Sequence, residues 1–162
     1  RIALERGLRL VQVRETNLNP SARNIFAAQV MREVRAVGGV VVVNSDVQLA
    51  TAIRAGLHLP SRELMAAKSR PDVEWCGASC HDTVELERAR ELGLDFVLLG
   101  PVHLTPGHAG TPEMGWNKFA DLIRDYSLPV FALGGMRAAN LDEARRCGAH
   151  GVAMVRGAWE WG

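Results

Sequence analysis

Residues 77–100 read GASCHDTVELERARELGLDFVLLG. Two short apolar runs, WCGAS at 75–79 and DFVLLG at 95–100, flank a segment with a different rhythm. In TVELERARELG (83–93) the residues Val84, Leu86, Ala89 and Leu92 fall at helical spacing, with Asp82 or Thr83 as cap and Gly93 as stop. A strand, a helix and a second strand in one stretch form a βαβ unit. Both runs are continuously apolar rather than alternating, which predicts strands buried on two faces, as in a parallel sheet.

The same rhythm extends along the chain. Further strand-like runs are LRLVQVR (8–14), VVVVN (40–44), LHL (57–59), PVFALGG (129–135) and GVAMV (151–155). Between them, ARNIFAAQVMREVRAVG (22–38) places Ile25, Val30, Val34 and Val37 at helical spacing, and GWNKFADLIRDYS and NLDEARRCGA supply later helices. Gly38, Gly56, Gly93 and Gly148 are the expected helix stops. Repeated right-handed βα steps allow a (β/α)8 barrel or a doubly wound sheet. The barrel is favoured, because no glycine-rich first turn of dinucleotide type occurs. Polar and glycine residues also gather where strands end: Arg14, Asn44, Ser79–His81, Gly100, Gly134–Gly135 and Arg156. A barrel builds its active site on that rim. The prediction is therefore an α/β TIM (β/α)8 barrel lacking its first βα unit, with seven strands visible. RIALERG reads as the end of a helix stopped by Gly7. Residues 1–162 are accordingly expected to be one barrel domain from a longer polypeptide.

Bulk properties narrow the function classes. The 162 residues carry 19 Lys and Arg against 18 Asp and Glu, with no polybasic block, which argues against nucleic acid as a partner. No apolar run approaches the ~20 residues of a membrane span, and no signal peptide is seen. Three cysteines, Cys76, Cys80 and Cys147, are too scattered for a disulfide framework, so a reducing, cytoplasmic setting is expected.

Three constellations carry chemistry. FALGGM and GVAMVRGAW end the last two strands, where barrels often bind phosphate through backbone N–H groups. Gly134 and Gly135 would let the backbone approach an anion, and Arg156 adds a bidentate cation. In GASCHD, Ser79 and His81 lie on one face of a strand and Cys80 on the other. His81 is then a candidate acid–base, while Cys80 packs against helices. Gln12 and Arg14 share a face at another strand end, near Asn44. The loop LGPVHLTPGHAGTP (99–112) holds His103 and His108, but zinc needs three or four ligands, and this spacing does not supply them. His58, inside LHL, is expected in the core or the barrel lumen.

Taken in order, LVQVRE, VVVVNSDVQLA, AGLHLPSREL, GASCHDTVELERARELGLDFVLLGPV, PVFALGGM and GAHGVAMV resemble thiamin phosphate synthase and its sister, the thiazole tautomerase. The resemblance runs from about residue 8 to 157. GASCHD, LGPV and GAHGVAMVRGAW are most similar to synthase-like domains fused behind a Nudix (MutT-type) hydrolase, which would be a partner domain in the same polypeptide. The resemblance implies a (β/α)8 barrel that joins a pyrimidine methyl diphosphate to a thiazole phosphate, with magnesium, and releases pyrophosphate. By position it implies Gln12, Arg14 and Asn44 as pyrimidine and diphosphate contacts and Ser79 as a pocket serine. Thr105 matches the first threonine of its loop. Gly135 and the Val155–Arg156 turn match the thiazole phosphate site.

The chain also departs from that pattern. Thr16 stands where the family carries lysine. Ser45 stands where it carries a metal-binding aspartate, with Asp46 one place late, and Glu63 falls at its second metal aspartate. His108 stands where the family has another lysine, and an unperturbed imidazole with a pKa of ~6.5 is mostly neutral at pH 7. These departures imply weakened diphosphate chemistry. HLPS and the Ser79–His81 pair resemble the tautomerase branch, with His81 as acid–base. A third reading is a non-catalytic phosphate-binding module beside a Nudix hydrolase. A barrel short of one strand has two open edges, an association hazard that predicts a homo-oligomer.

Overall fold

The computed structural model describes residues 1–104 and 112–159. At its centre is a seven-stranded sheet in which every strand pairs, in parallel, with the next in the chain. The strands are β1 (Leu10–Val13), β2 (Val40–Asn44), β3 (Gly56–Leu59), β4 (Cys76–Cys80), β5 (Phe96–Leu99), β6 (Val130–Leu133) and β7 (Gly151–Ala153). Helices α1 (Ile2–Glu5), α2 (Pro20–Arg35), α3 (Val47–Ile53), α4 (Ser61–Ala66), α5 (Thr83–Glu91), α6 (Gly115–Ile123) and α7 (Leu141–Arg146) accompany them. Sequential parallel pairing requires a crossover at each step, and a helix supplies it. This is the TIM-type α/β fold expected, with seven strands among the described residues and β1 and β7 as the sheet's edges.

One face of the sheet packs on the helices. Val13, Val41, Val43, Leu57, Leu59, Ala78, Val97, Leu99 and Ala132 alternate onto it and meet Met31, Val34, Leu64, Leu86, Phe119 and Ala144. Full burial of a Leu or Phe of this kind stabilises by roughly 1.5–3 kcal/mol. The opposite face is the lumen. On the rim where strands begin, Arg70 pairs with Asp95 at 2.8 Å, and the same carboxylate oxygen accepts from Cys76 N at 2.6 Å.

Three local expectations are corrected. In α2 the stripe Ala27–Met31–Val34 faces the sheet, and Ile25, about half a turn away from it, is 61% exposed. Val37 follows the C-cap Ala36 and is also exposed. Val84 in α5 is exposed for Ile25's reason, while Leu86 and Ala89 are buried. Helix α3 is ended not by Gly56 but by Arg54, in the left-handed conformation at φ 53°, and Gly56 begins β3. Among the described residues, no helix is long and apolar enough to cross a membrane.

Candidate active site

Because side chains alternate across a strand, the residues absent from the helix-facing core line the lumen. On β1–β4 these include Gln12, Val42, Asn44, His58 and Ser79. On β5–β7 they include Phe96, Leu98, Phe131 and Leu133. His58 is the buried polar residue of the core region, 2% exposed. Its Nε2 and the Ser79 hydroxyl are 2.9 Å apart. His58 is registered beside Gly77, so Ser79 is its diagonal neighbour across the β3–β4 ladder. Burial, and to a lesser degree the positive charge of Arg14, pulls the His58 pKa down to about 4. The ring is thus neutral at pH 7. Its Nδ1 is buried without a partner among the described residues. The influence of Arg14 on His58 fits the guanidinium at the mouth of the lumen, on the face shared with Gln12.

The β2 end is built differently. Asn44 Nδ2 donates to Ser45 Oγ at 3.0 Å, and Ser45 sits at φ 63°, left-handed backbone that a non-glycine residue seldom adopts. Asp46 caps α3: its Oδ1 accepts from Leu49 N at 2.9 Å, and its Oδ2 accepts from Arg23 Nη2 at 2.6 Å. Thr16, Arg23, Asn44, Ser45, Asp46, Val47 and Gln48 line an open surface recess of about 530 Å³.

A divalent cation does not fit this donor set. Both Asp46 oxygens already accept hydrogen bonds. Glu63 lies in the first turn of α4, and no group of three or more His, Cys, Asp or Glu gathers among the described residues.

Ser79 and His81 do not hydrogen-bond each other. His81 turns onto α5: its N–H donates to Glu85 Oε2 at 2.7 Å, and its Nδ1 lies 2.8 Å from the same oxygen. The other Glu85 oxygen accepts from Ser61 Oγ. With Nδ1–H given to Glu85, ring Nε2 would be the free nitrogen of a half-exposed imidazole. Cys80 points to the helices as expected, and burial pushes its thiol up to about 12, so it is no thiolate nucleophile. His103 packs edge-on against Trp116 at 5.7 Å, a packing role.

On the other side of the rim the polar groups, apart from the Arg156 side chain, belong to the backbone. Gly134 takes φ 101° and Gly135 φ 65°. A Cβ on Gly134 would stand 2.6 Å from Pro101 Cα, so glycine lets the β6 loop lie on the loop after β5. The 3₁₀ turn Arg156–Ala158 joins them, since a Cβ on Gly157 would meet Met136 O at 2.4 Å. The two loops expected to share a phosphate are therefore packed as one unit, with Val155 and Arg156 exposed on it. Thr105 and His108 lie outside the described residues.

Three contributors escaped the sequence reading: Arg23, Glu85 and the partnership of His58 with Ser79. Glu85 stands three places after Asp82, the capping-box pattern. Arg23 sits in a helical first turn, where a cation opposes the dipole, and that was its available signal.

A parallel βα sheet with one rim carrying polar side chains and glycine loops defines a TIM-type barrel protein. The family model described as thiamine monophosphate synthase matches residues 1–158. A putative thiamine-phosphate synthase of Geobacter sulfurreducens is 36% identical over 159 residues, covering 94% of this chain and 74% of that protein. The thiamine biosynthesis bifunctional protein ThiM/ThiE of Symbiobacterium thermophilum is 35% identical over 161 residues, covering 94% of this chain and 33% of that protein. Among solved structures, thiamine phosphate pyrophosphorylase from Pyrococcus furiosus superposes with a TM-score of 0.80 at 24% identity, covering 98% of this chain and 80% of that one. The chain belongs to the thiamine monophosphate synthase family. It spans about three quarters of the Geobacter relative, but 33% of the Symbiobacterium protein and 45% of the Nostoc punctiforme thiamine-phosphate synthase.

Proposed function

We propose that this chain acts as a thiamin phosphate synthase. A pyrimidine methyl diphosphate lies against Gln12, Arg14, Asn44 and Ser79, and a thiazole phosphate is held by Gly134–Gly135 and the Val155–Arg156 turn. The carbon–oxygen bond to the diphosphate breaks, the bond to the thiazole forms, and pyrophosphate leaves. Arg14 faces the departing charge, and the neutral His58 holds Ser79 in one orientation on the inner face of the sheet. Family membership supports the reaction class. The observation that carries the site reading is the His58–Ser79 pair on the inner face, at the same rim as the packed glycine loops.

The decisive experiment is pyrophosphate release from the two synthase substrates. Release that falls at least tenfold in Ser79→Ala is expected. Thr16 and Ser45, in place of a lysine and an aspartate, predict slow turnover. No release, together with thiazole isomerisation that disappears in His81→Ala, would overturn this reading in favour of a tautomerase.

A further inference from the structure

We infer that this rim supplies its own cation: the Arg23 guanidinium neutralises Asp46 in the place a divalent metal would take, and the chain works without one. The family resemblance implies magnesium, and the residues at the β2 end disagree with it. A Mg²⁺ ion of this kind is held by one or two carboxylates, waters and substrate phosphates, so at least one carboxylate must be free to take it. Asp46 is not free. Its Oδ1 caps α3 by accepting from Leu49 N at 2.9 Å, and its Oδ2 accepts from Arg23 Nη2 at 2.6 Å. A metal at Oδ2 would stand beside a permanent positive charge, like against like. Ser45, the residue before it, offers a neutral hydroxyl that already accepts from Asn44 Nδ2 at 3.0 Å. Glu63 stands on the next βα unit, in the first turn of α4. Among the described residues no group of three or more His, Cys, Asp or Glu gathers.

Arg23 is placed as a counter-charge. It stands in the first turn of α2, which holds no acidic residue, and a cation there opposes the helix dipole. Its Nε is buried without a partner among the described residues, so a full set of hydrogen bonds does not account for its position either. The carboxylate it meets is Asp46, on the neighbouring βα unit, and Asp46 is the one carboxylate lining the recess there. Unlike a bound ion, a guanidinium keeps its charge at any metal concentration. Metal-free turnover rests on the synthase reading above, whereas the metal-excluding pair at Asp46 stands apart from it.

Mn²⁺ titration of the full chain without substrate, read from the electron paramagnetic resonance of the free ion, tests the pair, and thermal unfolding confirms that each variant is folded. The wild type is expected to leave the free-ion signal unchanged. Ser45→Asp with Arg23→Gln is expected to bind the ion, because two carboxylates then line the recess with no guanidinium beside them. Aspartate tolerates the left-handed backbone at position 45. Ser45→Asp alone keeps Arg23 and should bind at least about tenfold more weakly than the double variant, the low end of a like-charge penalty at this range. Ser45→Asp with Arg124→Gln, which removes a guanidinium paired with Asp121 on α6 instead, should match Ser45→Asp alone. If the double variant does not fold, Mn²⁺ binding by Arg23→Gln that the wild type lacks supports the assignment, and no gain there overturns it. Wild-type binding that Asp46→Asn abolishes overturns it, as does a folded double variant that binds no better than Ser45→Asp alone. Pyrophosphate release from the two synthase substrates should run at the same rate in excess EDTA as in Mg²⁺, and release that needs Mg²⁺ overturns metal-free turnover. If neither condition gives release, the synthase reading fails, and the Mn²⁺ titration still decides the pair.

Discussion

Strands β1–β4 and strands β5–β7 reach the same rim with opposite chemistry. The first group turns Gln12, Asn44, His58 and Ser79 toward the lumen. The second turns Phe96, Leu98, Phe131 and Leu133 inward, and apart from the exposed Arg156 its polar groups come from the main chain of the loops at Gly134–Gly135 and Arg156–Ala158. Side-chain chemistry can be removed while the backbone stays in place. Backbone chemistry depends on close contacts between loops, so its loss and the loss of fold go together. The two halves should therefore fail differently.

The largest expected effect is on pH dependence in the side-chain half. Burial holds His58 neutral in the folded chain, with its pKa pulled down to about 4 from the ordinary 6.5. Between these values the unfolded chain binds the extra proton, so stability rises with pH across the window and is lost as pH falls from 6.5 toward 4. A shift of this size corresponds to roughly 3 kcal/mol. Urea unfolding at several pH values should show the loss. His58→Gln, which can still bond Ser79 but does not titrate, should flatten that part of the curve. A curve unchanged by the substitution would mean that His58 is not the group responsible.

Next is Gly134→Ala, the sharpest challenge to the backbone half. The positive φ and the contact with Pro101 together should cost roughly 2–3 kcal/mol, read as a fall in Tm, with thiazole phosphate binding lost alongside it. Loss of binding at unchanged Tm would break the distinction between the halves. Ser79→Ala should be milder in stability, about 1–2 kcal/mol, because it leaves the buried His58 without its partner, yet it should strongly reduce turnover. Smallest is Arg23→Gln: its stability change should stay within about 0.5 kcal/mol, as expected for a partly exposed ion pair, read as a small shift in Tm. A large stability loss there would place Arg23 with the structural residues.

The fold was legible because its signal is local. VVVVN and FVLL are short, continuous and β-branched or leucine-rich, and each became a strand at nearly the residues expected. Helix faces were less legible. Ile25 and Val84 fit a helical period, but only the packed sheet decides which stripe it covers. At the site, residues at strand ends could be named, but their partners could not. His58 and Ser79 meet through strand register, which a single sequence does not state. Arg23 and Asp46 lie on different βα units, and His81 found Glu85 on the following helix rather than the lumen. A charge or a histidine reads as a candidate in the sequence, and the neighbour that decides its role comes from elsewhere in the chain.

The Ser61–Glu85–His81 clasp has an electrostatic consequence. Glu85 spends both carboxylate oxygens on groups within the protein, as Asp46 does on Leu49 and Arg23. Glu85 and Asp46 are thus both met by protein donors, while Arg14 carries no salt bridge among the described residues. An approaching phosphate ester would meet the Arg14 guanidinium at the mouth with these two carboxylates already turned onto protein donors, and a cation so placed speeds the encounter of an anion with its cleft.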